Sequence, residues 1–413
     1  MLSSAEGFEF PRSVLPKEGS RILSVPPPLT TRLRETVCRW ADGAAPVGCS
    51  ERLLAGGLRA LSWLYEGGAF LNALAYDTRL KSVRTLPVPV LCIGNLTTGG
   101  TGKTPLVMEA ARLLQNAGFR PAVVSRGYRR ADAASIVVVS DGQAIRATLE
   151  TAGDEPLLMA RHLPDVAVVV GADRYRAGRV ACEQCGANVL LLDDGFQHRA
   201  LARDCDLVLW DTLRPFESGA FLPRGLMREG LRALQRAHAL ILTRANLAPE
   251  PTDLLVQVQR IAPHLEIFRA GLQIGEILAC PSSAATAETI PVASLQDQPV
   301  AAFCGLGNPQ SFWRLLTVSG LRLIHRQAFP DHYRPSVSEL DHLVQTASRQ
   351  GAQHLLMTEK DAENLPDGWI SGLPAWVIRP TLSLGTDADR FRQFLLQFAQ
   401  KQLQESRSCR EKR

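Results

Sequence analysis

The residues Gly99-Gly100-Thr101-Gly102-Lys103-Thr104 bring glycines, a lysine and a hydroxyl together in one short run. Glycines let a backbone curl until successive N–H groups point at one anion. A lysine closing such a turn reaches the β- and γ-phosphates of a nucleotide, and the hydroxyl after it can ligate Mg²⁺. The apolar run at residues 90–93 reads as a strand leading into the turn. Pro105 suits the first turn of a following helix, whose N-terminus adds partial positive charge. In the usual G-x-x-x-x-G-K-[ST] spacing a glycine would stand at 97, and here it is Thr97. The candidate nucleotide-binding set is therefore Thr97, Thr98, Gly99, Gly100, Thr101, Gly102, Lys103 and Thr104, with Lys103 also acting on the transferring phosphoryl group.

A phosphate loop needs an acidic residue at the end of a neighbouring strand to hold the metal. The run Val189-Leu190-Leu191-Leu192-Asp193-Asp194 supplies two. A doubled aspartate after a strand could also cap the next helix. With a phosphate loop upstream in the same sheet, metal binding by Thr104, Asp193 and Asp194 is the stronger reading.

These residues need a scaffold. Short apolar runs at 90–93, 122–124, 136–139, 166–170, 189–192 and 207–210 alternate with helical patterns at 105–117, 155–162 and 174–185. Such alternation predicts a parallel sheet with right-handed crossovers. A second set of strands and helices starts near residue 239, with 276–298 expected as a surface excursion inside it. The division expected is 1–50, poorly ordered; 51–85, an amphipathic helix and basic linker; 86–235, the phosphate-loop core; and 236–413, a second, smaller α/β domain with a C-terminal helix.

In residues 51–76, Leu54, Leu58, Leu61, Leu64, Tyr65 and Leu71 follow helical spacing, and Arg79, Lys81 and Arg84 come next. The pattern fits a helix in a membrane interface or one packed on the protein's own core. No uncharged run reaches the roughly 18 residues a spanning helix requires. Hydrophobic residues at 46% and charged residues at 21% describe a globular chain. A net charge of +5 suits phosphate-bearing ligands or an anionic surface, and lacks the dense basic stripe of a nucleic-acid binder. The 9 cysteines are odd in number and have no framework spacing, which argues for a reducing compartment. Cys182 and Cys185 lack the second pair a zinc site needs, and read as buried thiols.

Taken in order, several motifs resemble one family. They are Gly94-Asn95-Leu96 leading into Gly99 to Pro105, Ser125-Arg126-Gly127-Tyr128, Gly153-Asp154-Glu155-Pro156, Gly171-Ala172-Asp173-Arg174 and Asp193-Asp194-Gly195-Phe196-Gln197-His198. Leu222-Pro223 through Arg228-Glu229, Gly305-Leu306-Gly307-Asn308-Pro309, Phe329-Pro330-Asp331-His332 and Thr358-Glu359-Lys360-Asp361-Ala362 follow. The series resembles the tetraacyldisaccharide 4′-kinases, which phosphorylate the lipid A disaccharide. In that family a small polar residue replaces the first glycine of the loop, as Thr97 does. The resemblance implies an α/β fold: a P-loop NTPase core with a mostly parallel sheet, a second smaller α/β domain and an N-terminal membrane-associating helix. It implies ATP and Mg²⁺ as cofactors and a lipid disaccharide acceptor. It also implies work at the cytoplasmic face of the inner membrane, with no nucleic acid and no stable protein partner. Position by position it makes Asp154 the base for the sugar hydroxyl, supported by His332. Glu229 joins Asp193 and Asp194 around the metal and triphosphate, with Arg126, His198 and Arg228 nearby. Taken alone, Asp154 reads as a helix N-cap before Glu-Pro. Arg224, Leu226, Gly230 and Tyr333 depart from the family's usual residues.

Two rivals make different demands. A GTPase of the metallochaperone kind needs N-K-x-D or T-K-x-D, and Thr358-Glu359-Lys360-Asp361 sets lysine and aspartate side by side instead. A non-catalytic nucleotide switch at the membrane would leave Asp154 and His332 idle.

Overall fold

The computed structural model describes residues 36, 37, 40, 45–128, 130, 132–214, 219–280, 288–330 and 333–411, with side chains as far as 401. The first element described over its full length is a long helix, α1 (Gly48–Asp77), and the chain then enters its sheet at β1 (Val90–Asn95). Helix α2 (Lys103–Asn116) follows β1 directly, and β2 (Pro121–Ser125) returns beside it. The strand β3 (Val137–Asp141), the short α3 (Leu149–Ala152), α4 (Asp154–His162), β4 (Ala167–Val170), α5 (Arg174–Gln184), β5 (Val189–Asp193) and β6 (Cys205–Asp211) complete the first run. The expected elements of this stretch form within a few residues of their predicted bounds. Cys182 and Cys185 end α5 half-buried, and burial lifts the Cys182 thiol to about 11, so it stays protonated.

Next come β7 (Ala239–Thr243), α6 (Thr252–Ile261), β8 (Glu266–Ala279), β9 (Thr289–Ile290), β10 (Pro299–Cys304), α7 (Pro309–Val318) and β11 (Arg322–Ala328). The chain ends with α8 (Val337–Arg349), β12 (His354–Thr358), α9 (Glu359–Ala362), β13 (Ala375–Ser383) and α10 (Ala388–Glu411). The strands lie in one sheet of order β11-β10-β12-β13-β8-β7-β6-β1-β5-β2-β4-β3, with β9 paired to β8. Pairing is mostly parallel; β3–β4, β8–β9 and β8–β13 run antiparallel.

The boundary expected at 235 is not where the cores divide. Strand β7 pairs parallel with β6, and residues 266–270 of β8 pair parallel with β7, so both belong to the phosphate-loop lobe. Beyond Gly271 the same strand turns to pair with β13 of the second lobe. One 14-residue strand thus serves both lobes, which is why no linker composition marks the change. The C-terminal helix also returns to the first lobe, where Phe391 and Leu395 pack with Phe268 and Leu106. The expected surface excursion at 276–298 is instead partly core. Ile277, Cys280 and Leu295 are buried, and residues 281–287 lie outside the described set.

Helix α1 buries only Ala55, Leu58 and Ser62. Val37 and Trp40 cover Ala55 and Leu58; apart from Thr36, the rest of the expected N-terminal extension to residue 44 lies outside the described residues. Leu58, expected on the apolar interface face, is on the docked face, whereas Leu53, Leu61, Trp63, Leu64, Phe70 and Leu71 are all more than half exposed. Among the described residues no helix is long and apolar enough to cross a membrane.

Candidate active site

Strand β1 is buried along its whole length between β5 and β6, so its carboxyl end is a fixed launching point. Gly94 is required there: a Cβ on it would lie 2.5 Å from Phe196 Cβ. The buried Asn95 amide donates to Thr101 Oγ1 at 2.9 Å, and Gln197 Nε2 donates to the Asn95 carbonyl. Gly99 and Gly102 take φ values of 105° and 84°, which side chains rarely tolerate.

Two outer carbonyls of the loop are tied back. Thr243 Oγ1 donates to Thr101 O at 2.8 Å and Arg244 Nη2 to Gly100 O at 2.7 Å. Among the described residues the amides of Gly99, Gly100 and Gly102 have no acceptor. The start of the loop leans on residues 222–228, where Leu226 O accepts from Thr98 N and Arg228 N donates to Leu96 O, both at 2.7 Å. Thr97 bridges Met227 on the same loop. That loop in turn touches α1, since Ser62 Oγ donates to Phe221 O and accepts from Arg224 N.

The acidic pair splits its roles. Asp193 is 3% exposed; Ser125 Oγ donates to its Oδ2, and its Oδ1 is buried without a hydrogen-bond partner. Burial raises its carboxyl above the usual range. Burial pushes the same way on Asp194, but Lys103 Nζ at 3.6 Å and Arg228, with Nη1 2.9 Å from both carboxylate oxygens, outweigh it and hold that carboxyl low. An orphaned, buried carboxylate oxygen is the donor type a hard cation requires, and Mg²⁺ takes only one or two such groups besides phosphates and water. Among the described residues no set of three or more His, Cys, Asp and Glu is placed to hold a metal ion.

One cavity of about 1750 Å³ gathers Thr98 to Thr104, Arg126, Asp154, Asp193, Asp194, His198 and Arg228. That is more room than one small ligand fills. Glu229 is not among the lining residues; its carboxylate pairs with Arg236 at 2.8 Å. Asp154 is the first residue of α4, and Gly153 (φ 86°) rather than Asp154 is the N-cap; Asp154 Oδ1 accepts from the Glu155 amide instead. His332 and Asp331 lie outside the described residues. His198 is driven down to about 4 by burial and by Arg174 and Arg203, so it is neutral at physiological pH.

Four further residues line the cavity, two of them (Glu155 and Arg174) within the quoted motifs but given no site role there. Glu155 is pushed up to about 7, first by burial and then by the Asp193 carboxylate. Its place beside Asp154 in Gly153-Asp154-Glu155-Pro156 was the available signal. Arg174 is buried and its Nε has no partner; burial, and then the nearby Arg126 cation, depress its pKa. Arg214 and Arg244, at the ends of β6 and β7, left no spacing signal. From the second lobe, Leu306, Gly307, Glu359 and Lys360 close the far wall. Glu359, held at about 2 by His162 and Arg379, ties that wall to α4.

Known proteins resemble this chain. Residues 54–400 match the family model described as tetraacyldisaccharide-1-P 4′-kinase, LpxK. The tetraacyldisaccharide 4′-kinase of Syntrophus aciditrophicus is 39% identical over 330 residues, 77% of this chain and 86% of that protein. The enzyme of the same name from Desulfotalea psychrophila is 37% identical over 332 residues, 80% of this chain and 93% of its own length. The crystal structure of LpxK from Aquifex aeolicus in complex with ATP superimposes with a TM-score of 0.62 at 30% identity, covering 84% of this chain and 99% of that one. A glycine-rich phosphate loop whose amides are left without acceptors among the described residues, a divided aspartate pair and this breadth of likeness lead to one assignment: the chain belongs to the tetraacyldisaccharide 4′-kinase family.

Proposed function

We propose that this kinase transfers the γ-phosphoryl group of ATP to the 4′-hydroxyl of a tetraacyldisaccharide 1-phosphate, a step of lipid A biosynthesis, at the cytoplasmic face of the inner membrane. The observation that carries the reading is the convergence of the phosphate loop, Asp154 and the Arg126–Arg174 cation pair on one cavity. Phosphoryl transfer asks for positioning and charge neutralisation. Lys103 and the unpaired loop amides supply the cradle. Arg126 and Arg174, which repel each other, suit the phosphate borne by the acceptor. Asp154 is the base that takes the hydroxyl proton as the P–O bond forms, and His332 its supporting group by family resemblance. Thr104, Asp193 and Asp194 would hold Mg²⁺, whose charge would offset that of the triphosphate; Glu229 is committed to Arg236.

Support for the membrane comes from α1. Its exposed leucines, Trp63 and Phe70 leave apolar side chains uncovered on the flanks and far side of the face that docks through Ser62. Such a helix lies in an interface without crossing it. The basic residues after it are partly engaged within the protein, since Arg84 pairs with Asp173 and Lys81 with Asn72.

The test is incubation of the full chain with ATP, Mg²⁺ and tetraacyldisaccharide 1-phosphate, with mass spectrometry for a gain of one phosphate. No gain sinks the reading. Asp154→Asn should lower kcat about 10²-fold with ATP KM little changed.

A further inference from the structure

Two arginines at the mouth of the phosphate loop share one buried carboxylate, and they share it unequally. Asp211, at the end of β6, is 3% exposed. Arg244 Nη1 donates to Asp211 Oδ2, and its Nη2 reaches Gly100 O, so its guanidinium is spent on holding the loop. Arg214 sits in the turn closed by its own N–H to Asp211 O at 3.0 Å. Its Nε is 3.8 Å from Asp211 Oδ2, too long for a hydrogen bond. Its side chain is nonetheless only 13% exposed. Among the described residues none of its guanidinium N–H groups has an acceptor.

Its position is more telling than its pairing. A Cβ built on Gly99 would meet Arg214 Nη2 at 3.1 Å, so the guanidinium lies against the early limb of the loop and faces the same cavity. Lys103, steered by Asp194, stands at the other end of that loop. Arg228 cannot play the same part without giving up both oxygens of Asp194 and its contact with Gln197. A nearly desolvated guanidinium with donors to spare, beside a cradle for phosphate, has its natural complement in a phosphoryl group.

We infer that Arg214 is an arginine finger supplied in cis, touching the equatorial oxygens of the γ-phosphoryl group as it passes from ATP to the acceptor. This rests on the kinase reading above. As the bond to the β-phosphate oxygen breaks and the bond to the sugar oxygen forms, negative charge spreads over those oxygens. Lys103 meets that charge from one side of the loop and Arg214 from the other. Removing Arg214 leaves Asp211 still paired with Arg244, so the loop keeps its shape.

The experiment uses the full chain and its Arg214→Gln variant. Calorimetry with Mg²⁺ gives the ADP Kd, and single-turnover phosphorylation of tetraacyldisaccharide 1-phosphate at saturating ATP gives the rate. The expected result is a rate lower by about 10³-fold, the lower end for an arginine finger, with the ADP Kd within about threefold of wild type. A rate within about fivefold of wild type overturns the inference, being far short of that value. So does an ADP affinity that falls in step with the rate, since Arg214 would then be a structural prop of the loop. A wild-type chain that leaves the lipid unphosphorylated defeats the kinase reading itself. A wild-type chain that phosphorylates it while Arg214→Gln keeps pace defeats only the finger.

Discussion

Two glycine-rich turns in this molecule have the same construction and opposite contents. The first runs from Gly99 to Thr104, between the buried β1 and α2. The second runs from Gly305 to Asn308, between β10, likewise buried in a parallel part of the sheet, and α7, which has proline at its first position. In the first, carbonyls are tied outward to Thr243 and Arg244, and a lysine enters the helix. In the second, the Gly305 amide already donates to Asp361 Oδ1 at 2.7 Å. Asp361 also caps α9 through the Thr358 amide and hydroxyl. The second turn thus holds a carboxylate of the protein's own, where the first is arranged to receive an anion from outside. Glycines make such a turn possible; the residues behind it decide whether it can bind a ligand.

The comparison breaks most sharply at Lys103. Lys103→Ala makes the first turn resemble the second, and steady-state kinetics should show a loss of 10²-fold or more in kcat, about what one positioned charge contributes in such reactions. Activity within threefold of wild type would remove the phosphate-loop assignment. Asp361→Ala empties the second turn and leaves Gly305 and Thr358 donors buried without acceptors. Denaturant unfolding should then show a loss of about 2 kcal/mol or more, while ADP affinity stays as in wild type. If nucleotide affinity falls with stability, the two turns are coupled and the contrast fails.

The smallest effect concerns Glu155. Its carboxyl is held above its unfolded value, so the folded chain binds that proton more tightly. Its contribution to stability is full below about pH 4.5 and is lost as pH rises through about 7. Cavity water reaches the residue and weakens the effect. In nucleotide-free, Mg²⁺-free protein, Glu155→Gln should therefore gain about 1 kcal/mol over wild type at pH 8 and nothing at pH 4. A stability difference independent of pH would show that the cavity wall and the Asp193 carboxylate impose no such cost on Glu155.

The phosphate loop was legible because every part of it is local: strand, glycines, lysine, hydroxyl and helix stand in one run. The doubled aspartate was legible for the same reason. Arg214 and Arg244 were not, because they reach the loop only through the order of β6 and β7 in the sheet, which no spacing encodes. The pairing of Glu229 with Arg236 had no signal in the motif either. The lobe boundary was hidden because β8 is continuous where a linker was expected. In α1, periodicity gave the helix but not its docked face: Ser62, the one polar residue buried there, is the anchor, and a polar residue carries no weight in a hydrophobic count.

The return of α10 to the first lobe has a consequence for how the protein is made. A ribosome releases β1 and the phosphate loop early, and Phe391 and Phe394 close to the end. Those two rings meet Phe268 edge-on, at 5.3 and 5.6 Å between centroids. Until they emerge, Phe268 and the α2 face around Leu106 lack their cover, although every residue that grips phosphate has already been synthesised. The second lobe has the opposite timing, since its strands and helices from β10 to β13 are contiguous in the chain. It can therefore finish its own core while the lobe that began first still waits for its last helix.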